Sequence, residues 1–323
     1  MIIVTGGAGF IGSAFVWKLN MEGRDDIIIV DELGTSDKWK NLINLKYNDY
    51  LHKNVFLQMI CENSVPYRVD TVIHMGACSS TTERDADYLM ENNYRYSRMV
   101  AEWALKRDIR FIYASSAATY GDGSSGFSDS HDECLSLKPI NMYGYSKQLF
   151  DLWVLRNNME DKVAGIKFFN VFGPNEYHKG DMRSVVHKSF GQISGEGKVR
   201  LFKSYKDEYG AGEQKRDFVY IRDCVEVLWW LVKNTTATGI FNLGTGTART
   251  WNDLVRAVFT AMDIEADIEY IDMPESIRNQ YQYFTEAEMG KLRLKGCDIQ
   301  FHRLEDAIYD YVVNYLREGE RTL

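Results

Sequence analysis

Tyr143 and Lys147, in the run Asn141-Met-Tyr-Gly-Tyr-Ser-Lys147, stand one helical turn apart. On a helix their side chains therefore share a face. Ser116 lies upstream in Tyr113-Ala-Ser-Ser-Ala-Ala-Thr-Tyr-Gly121. Together these residue types can take a proton from an alcohol. A phenol does so only when its pKa falls well below the ordinary value of about 10. A lysine ammonium one turn away lowers it by stabilising the phenolate, while a serine hydroxyl holds the reacting oxygen. Tyr145 competes with Tyr143 for the role, but it lies only two residues from Lys147 and faces elsewhere. With a hydride acceptor alongside, such a trio oxidises a secondary alcohol.

The acceptor's seat is written at the N-terminus. In Thr5-Gly-Gly-Ala-Gly-Phe-Ile-Gly12, the residues Gly6, Gly9 and Gly12 follow a strand and open a helix, the context a dinucleotide fingerprint requires. Gly6 permits the tight turn, Gly9 lets backbone approach a pyrophosphate, and Gly12 allows close helix–strand packing. The pyrophosphate then meets the positive end of the helix dipole. Asp31 ends the next strand about twenty residues on, where an acid accepts hydrogen bonds from ribose hydroxyls and favours NAD. Lys38 and Lys53 follow and could reach a 2′-phosphate, which favours NADP, so these residues by themselves leave the choice open. His178 and Lys179 fall on a loop leaving a strand's C-terminal end, the side on which open α/β sheets bind ligands. Read from the residue alone, Lys179 is a solvated or phosphate-binding loop lysine. No pair of the six histidines has metal-ligand spacing, and no metal is expected.

Strands alternating with helices must position these groups. Apolar runs predict strands over Met1–Val4, Ile27–Val30, Val69–Met75, Arg110–Ala114, Val163–Phe169 and Ile240–Leu243. Helical periodicity covers Phe10–Asn20, about Tyr88–Arg107, the Tyr143 segment to about Asn158, and Trp251–Met262. The alternation indicates α/β architecture, a Rossmann-type doubly wound parallel sheet. Beyond Asn170 the pattern loosens, and glycines around Gly195 and Gly210 read as surface loops. The expected division is a dinucleotide-binding domain over 1–170 plus about 215–248. A smaller, partly interleaved substrate domain takes about 171–214 and 249–323.

Composition narrows the class. The 323 residues are 45% hydrophobic, enough for a substantial core. The net charge of −8, from 38 basic and 46 acidic residues, argues against nucleic acid as a partner. Five cysteines form no C-x-x-C pair and read as reduced thiols. No apolar run reaches membrane-span length, and the N-terminus enters a strand without a signal sequence. A soluble, cytoplasmic enzyme is the expectation.

With these motifs assembled, the chain resembles the extended short-chain dehydrogenase/reductase superfamily, and within it the sugar-nucleotide epimerases that act on ADP-linked heptoses. The likeness runs over essentially the whole length. It is carried by Gly76-Ala-Cys-Ser-Ser-Thr-Thr-Glu83, Ala114–Gly121, Tyr143–Lys147, Asn170-Val-Phe-Gly-Pro174, His178-Lys-Gly180, Lys215–Tyr220 and Tyr281-Gln282. The resemblance implies inversion at carbon 6 of the heptose by transient oxidation with bound NADP, in the supply of heptose to lipopolysaccharide. It also implies a homo-oligomer, as large as a pentamer. By the same match Tyr143, Lys147 and Ser116 are catalytic, and Lys179 rises from a bland loop residue to a second acid/base. Cofactor contacts fall on Phe10, Ile11, Asp31, Glu32, Lys38, Lys53, Met75, Gly76, Ala77, Cys78, Ser79 and Asn92. Substrate contacts fall on Asn170, Val171, Lys188, Phe202, Ser204, Arg216 and Tyr281. Four features depart from the pattern: Glu32 where Asn is common, Asp181 where a small residue follows the His-Lys-Gly run, Lys188 where a His is usual, and an insertion over 205–213. The rival activities are another sugar-nucleotide epimerase or epimerase/reductase and, in a different class, a non-catalytic dinucleotide-binding scaffold. Ala117-Ala118 after Ser116 speaks against a 4,6-dehydratase, which carries an Asp-Glu pair there.

Overall fold

The apolar runs of the first half are buried strands, as continuous hydrophobic segments covered on both faces must be. The computed structural model describes residues 1–278 and 281–323. Strands β1 (Ile2–Thr5), β2 (Ile27–Asp31), β3 (Asp49–His52), β4 (Thr71–His74), β5 (Arg110–Ser116) and β6 (Val163–Phe168) come from this half. They join β10 (Gly239–Leu243) in a seven-stranded sheet of order β10-β6-β5-β4-β1-β2-β3. Every neighbouring pair is parallel. In register, Val4 lies beside Ile29 on one side and Ile73 on the other, and all three are fully buried. The chain leaves β1 toward β2 on one side and later returns to β4 on the other. That reversal opens a crevice at the carboxyl ends of β1 and β4, where doubly wound sheets bind nucleotides. The Rossmann-type expectation is met.

The second half adds two small sheets. One orders β11 (Ala248–Thr250), β9 (Lys215–Tyr220) and β7 (Asn170–Phe172); the other pairs β12 (Ile268–Ile271) with β8 (Val199–Phe202). Helices Val185–Glu196 and Leu304–Tyr311 pack on the Trp251–Met262 helix, which opens with a reciprocal Thr250/Asp253 capping box. The loop expected around Gly195 is instead the last turn of the Val185–Glu196 helix. The stop falls at Gly197, whose φ of 73° supplies the left-handed cap. The Ile221–Lys233 helix, unmarked in the periodicity reading, packs against the Phe10–Met21 helix of the first half. None of the described helices is long and apolar enough to cross a membrane.

Candidate active site

Glycines shape the floor of the crevice. Gly6 adopts φ +66°, and a Cβ there would lie 2.6 Å from the Gly76 nitrogen. A Cβ on Gly12 would overlap the Gly6 carbonyl. The turn and the strand end at Gly76 thus close on each other only without side chains. The Phe10–Met21 helix starts from Gly9 with no side-chain cap and no acid in its first turn. Its leading amides are free to meet an anion. These features fit a dinucleotide, with Gly6, Gly9 and Gly12 around a pyrophosphate and Asp31 at the ribose end. Asp31 Oδ2 already accepts from Ala8 N at 2.8 Å, and its Oδ1 pairs with Lys38 Nζ at 2.7 Å. Lys53 Nζ is shared between Glu32 at 2.5 Å and the Asn92 side-chain oxygen at 2.9 Å.

A cavity of about 840 Å³ extends from this floor. Its walls hold Phe10, Ile11, Asp31, Lys38 and the Met75-Gly76-Ala77-Cys78-Ser79 segment. Ser116, Tyr143, Lys147 and Lys179 line it as well, with Asn170, Val171, Arg216 and Tyr281 further along. Residues remote in sequence thereby meet in one chamber. Glu32, Lys53, Asn92, Lys188, Phe202 and Ser204 stand outside its walls. Of these, Lys188 Nζ donates to the Asp181 carbonyl at 2.6 Å, and Phe202 meets Tyr281 edge-on, 6.5 Å between centroids.

Tyr143 and Lys147 project from the Met142–Arg156 helix, capped by Asn141 Oδ1 accepting from Gly144 N at 2.7 Å. Tyr143 and Lys147 are buried and line the cavity, whereas Tyr145 is 45% exposed and stands outside its walls. The lowering of the phenol expected from Lys147 is not what the protein groups produce. Burial pushes Tyr143 above its ordinary range, opposed by a hydrogen bond with Ser116. Lys147 instead directs Nζ to the Ala114 carbonyl at 2.9 Å, and burial brings it down to about 8, with the nearby Asp151 opposing. Near neutrality Lys147 is charged, and that ammonium would stabilise a phenolate as Tyr143 loses its proton.

Lys179 reaches the cavity from a short helical turn, Tyr177–Met182. Its Nζ lies 5.3 Å from the centre of the Phe10 ring, at the start of the cofactor helix. Burial lowers its pKa, with Glu176 opposing, the direction a general acid/base lysine requires. His178 beside it is brought down to about 4, chiefly by burial, and is neutral at pH 7. The turn is fixed by residues that sequence reasoning passed over. Glu176 accepts from Ser184 N and Oγ at 2.5 and 2.6 Å and from Tyr311 OH at 3.0 Å. Asn175 donates to Ser13 Oγ at 2.9 Å and accepts from Leu323 N at 2.9 Å. No local signal marks these contacts, because every partner but Ser184 is far away in the chain.

At the other end of the cavity the buried Arg216 guanidinium lies 5.3 Å from the Tyr281 ring centre and 5.7 Å from that of Trp251. Trp251 Nε1 donates to Tyr281 OH at 2.9 Å. A cation framed by aromatic faces suits an anion carrying a planar base. Trp251 was expected only as a helix residue, and its part in this wall becomes visible once the helix is placed against β9.

Known proteins are similar to this chain over essentially its whole length. A profile of the NAD dependent epimerase/dehydratase family matches residues 2–244. A Nitratidesulfovibrio vulgaris protein named ADP-L-glycero-D-manno-heptose-6-epimerase is 63% identical over 320 residues, 99% of each chain. One of the same name from Fusobacterium nucleatum is 47% identical over the full length of both. The crystal structure of the Helicobacter pylori ADP-L-glycero-D-manno-heptose-6-epimerase superposes with a TM-score of 0.82 at 27% identity, covering 97% of this chain and 95% of that one. With its glycine floor, its Tyr-Lys helix and these likenesses, the chain belongs to the NAD-dependent epimerase/dehydratase family.

Proposed function

We propose that this protein interconverts the two configurations at carbon 6 of an ADP-linked glycero-manno-heptose, a precursor of the lipopolysaccharide core. The observation that carries this reading is that Tyr143 and Lys179, from different elements, line the same cavity. A base beside a bound alcohol serves one orientation of its oxygen. If the derived ketone turns before it is reduced, the oxygen points elsewhere and needs a second proton donor. A simple dehydrogenase has no use for that second group.

A bound nicotinamide dinucleotide supplies a hydride acceptor and, on the return, the same hydride. Tyr143 takes the proton of the carbinol hydroxyl as its C–H bond breaks, Ser116 holds the oxygen, and the Lys147 ammonium stabilises the phenolate. Lys179 delivers a proton to the carbonyl oxygen in the turned orientation, and running the steps backwards serves the opposite substrate. Arg216 would neutralise the diphosphate, with Tyr281 and Trp251 beside the adenine. NADP is our reading of the cofactor, because Lys38 and Lys53 flank the end of β2 where a 2′-phosphate would be recognised. Asp31, at the ribose position, favours NAD as the second reading. The enzyme would work in the cytoplasm as a homo-oligomer, up to a pentamer, a state that light scattering reads directly.

Turnover with ADP-, UDP- and GDP-linked sugars tests the substrate; preference for a UDP-sugar would overturn it. In deuterated water the epimerised carbon should keep its original hydrogen, because the hydride never exchanges with solvent. Solvent deuterium at carbon 6 would replace the redox scheme with direct proton abstraction. Lys179→Met should fold and hold its dinucleotide, yet lose about 10²–10⁴ in epimerisation. Near-normal turnover would return Lys179 to an ordinary loop residue.

A further inference from the structure

Beneath the Tyr143–Lys147 face lies a pair of charges that the acid/base scheme does not use. Asp151 and Lys167 are wholly excluded from solvent and joined at 2.6 Å. Such a pair is tolerable only when its remaining hydrogen-bonding capacity is largely met, and here it is, with the Lys167 ammonium also 5.3 Å from the centre of the Tyr120 ring. Asp151 also accepts from Tyr113 OH at 2.9 Å and from Ser115 Oγ at 2.7 Å. Lys167 also donates to Thr119 Oγ1 at 2.8 Å, and Thr119 Oγ1 donates to the Ser116 carbonyl at 2.8 Å. Asp151 stands one turn beyond Lys147 on the same helix, as Lys147 stands one turn beyond Tyr143.

The contacts converge on the end of β5. Ala114 is held by Lys147, Ser115 by Asp151, and Ser116 by Lys167 through Thr119. An ion pair serving the core alone has no need to grip the strand end that carries the substrate-binding serine.

We propose that Asp151, with Lys167, is a positioning residue of the active site. It clamps the end of β5 to the helix bearing Tyr143 and Lys147, and it supplies the buried anion that keeps Lys147 an ammonium. The proposal rests on the reading of Tyr143 and Lys147 as the acid/base pair. The titratable groups around Lys147 are Tyr143 and Asp151 on its own helix, His74 on β4, Cys78 just beyond it, and Lys167 across Asp151. Those around Asp151 include Tyr113, Tyr120 and Cys134. Burial keeps His74 neutral, down at about 3, and holds the Cys134 thiol up at about 11. Asp151 is the carboxylate among them, and its charge opposes the burial that would strip Lys147 of its proton.

Asp151→Asn alone leaves two buried lysines without a counter-ion and invites unfolding. The decisive protein is the double variant Asp151→Asn with Lys167→Met, which removes both charges at nearly constant volume. Thermal melting and retained dinucleotide are measured first, then kcat from pH 6 to 10 beside the wild type and Lys147→Met. If catalysis needs the ammonium, activity falls as pH rises through the Lys147 pKa. Loss of the Asp151 anion lowers that pKa, and loss of the Lys167 cation beyond it offsets part of the change. Asp151 is the partner that acts on Lys147, so the alkaline limb should still move to lower pH, by roughly half a unit. A limb superposable on that of the wild type would overturn the proposal. So would a double variant that cannot fold, since the pair would then serve folding alone. Near-normal turnover by Lys147→Met would instead remove the acid/base reading beneath it.

Discussion

The two walls of the cavity that carry the proposed proton-transfer groups are built in opposite ways. Tyr143 and Lys147 ride on a regular helix whose periodicity fixes their relation before any tertiary contact forms. Lys179 sits on a short turn with no such periodicity, held by Asn175 and Glu176 through bonds to Ser13, Ser184, Tyr311 and Leu323. The first wall brings its geometry with it, whereas the second acquires its geometry only when distant parts of the chain have docked. A helix is cheap to specify locally. A loop lysine such as Lys179, proposed to meet a turned substrate oxygen, depends on the completed fold.

Tyr143→Phe breaks the first wall at a single atom and carries the largest expected effect. It removes the proposed phenolic proton shuttle together with the hydroxyl's hydrogen bond to Ser116, so dinucleotide content and melting temperature should nearly hold while turnover falls by about 10²–10⁴. Tyr145→Phe, on the exposed side of the same helix, should change turnover little. Equal losses in the two variants would mean that the helix face does not select its tyrosine.

The contrast between the walls also explains what was legible in the sequence. The central strands of the parallel sheet, the glycine turn and the shared helix face of Tyr143 and Lys147 rest on short-range patterns, and the structure shows these local arrangements. The edge strand β3, half-exposed and without an apolar run, went unread. Lys179 was singled out by its place beyond a strand's C-terminal end, but its acid/base role came only through a resemblance, since a lysine after a strand is usually solvated. Its supports, Asn175 and Glu176, carry no local signature; Glu176 is a buried carboxylate whose donors lie as far off as Tyr311. Asp151 and Lys167 escaped for the same reason: a charged residue in an apolar strand such as β6 reveals its partner only in three dimensions. The helix over Val185–Glu196 was obscured by Gly191 and Gly195, which weaken helix propensity but are outweighed here by the packing of Val186 and Ile193.

Glu176→Gln tests the dependence of the second wall on long-range contacts. The carboxylate accepts from Ser184 N, Ser184 Oγ and Tyr311 OH. An amide that keeps the Ser184 N–H on its oxygen donates its NH2 to the two hydroxyl oxygens, whose own protons then lose their acceptor. Leaving such a buried group unsatisfied should cost about 1–3 kcal/mol of stability, read by denaturant melts. The Lys179 step should slow as well, because Glu176 helps to keep that lysine protonated against burial. Full activity with reduced stability would show that the turn holds Lys179 in place without Glu176.

The smallest effect is expected at the cofactor's far end, where both modes of construction meet. Lys38 pairs with Asp31 at the end of β2, and Lys53 with Glu32 and Asn92 beside it. To grip a 2′-phosphate each ammonium must turn part of its hydrogen bonding from a carboxylate to the phosphate. The net gain is therefore smaller than two unpaired lysines would deliver. Replacing both with Ala should weaken NADP by roughly 10- to 100-fold, about 1.4 kcal/mol for each tenfold step. NAD affinity should change little or rise slightly, as Asp31 becomes free to accept from a ribose hydroxyl. Titration of the dinucleotide-stripped protein with each cofactor separates the cases. Equal losses for NADP and NAD would place the lysines' influence in the fold of the β2 end, and no loss for either would leave the choice to Asp31.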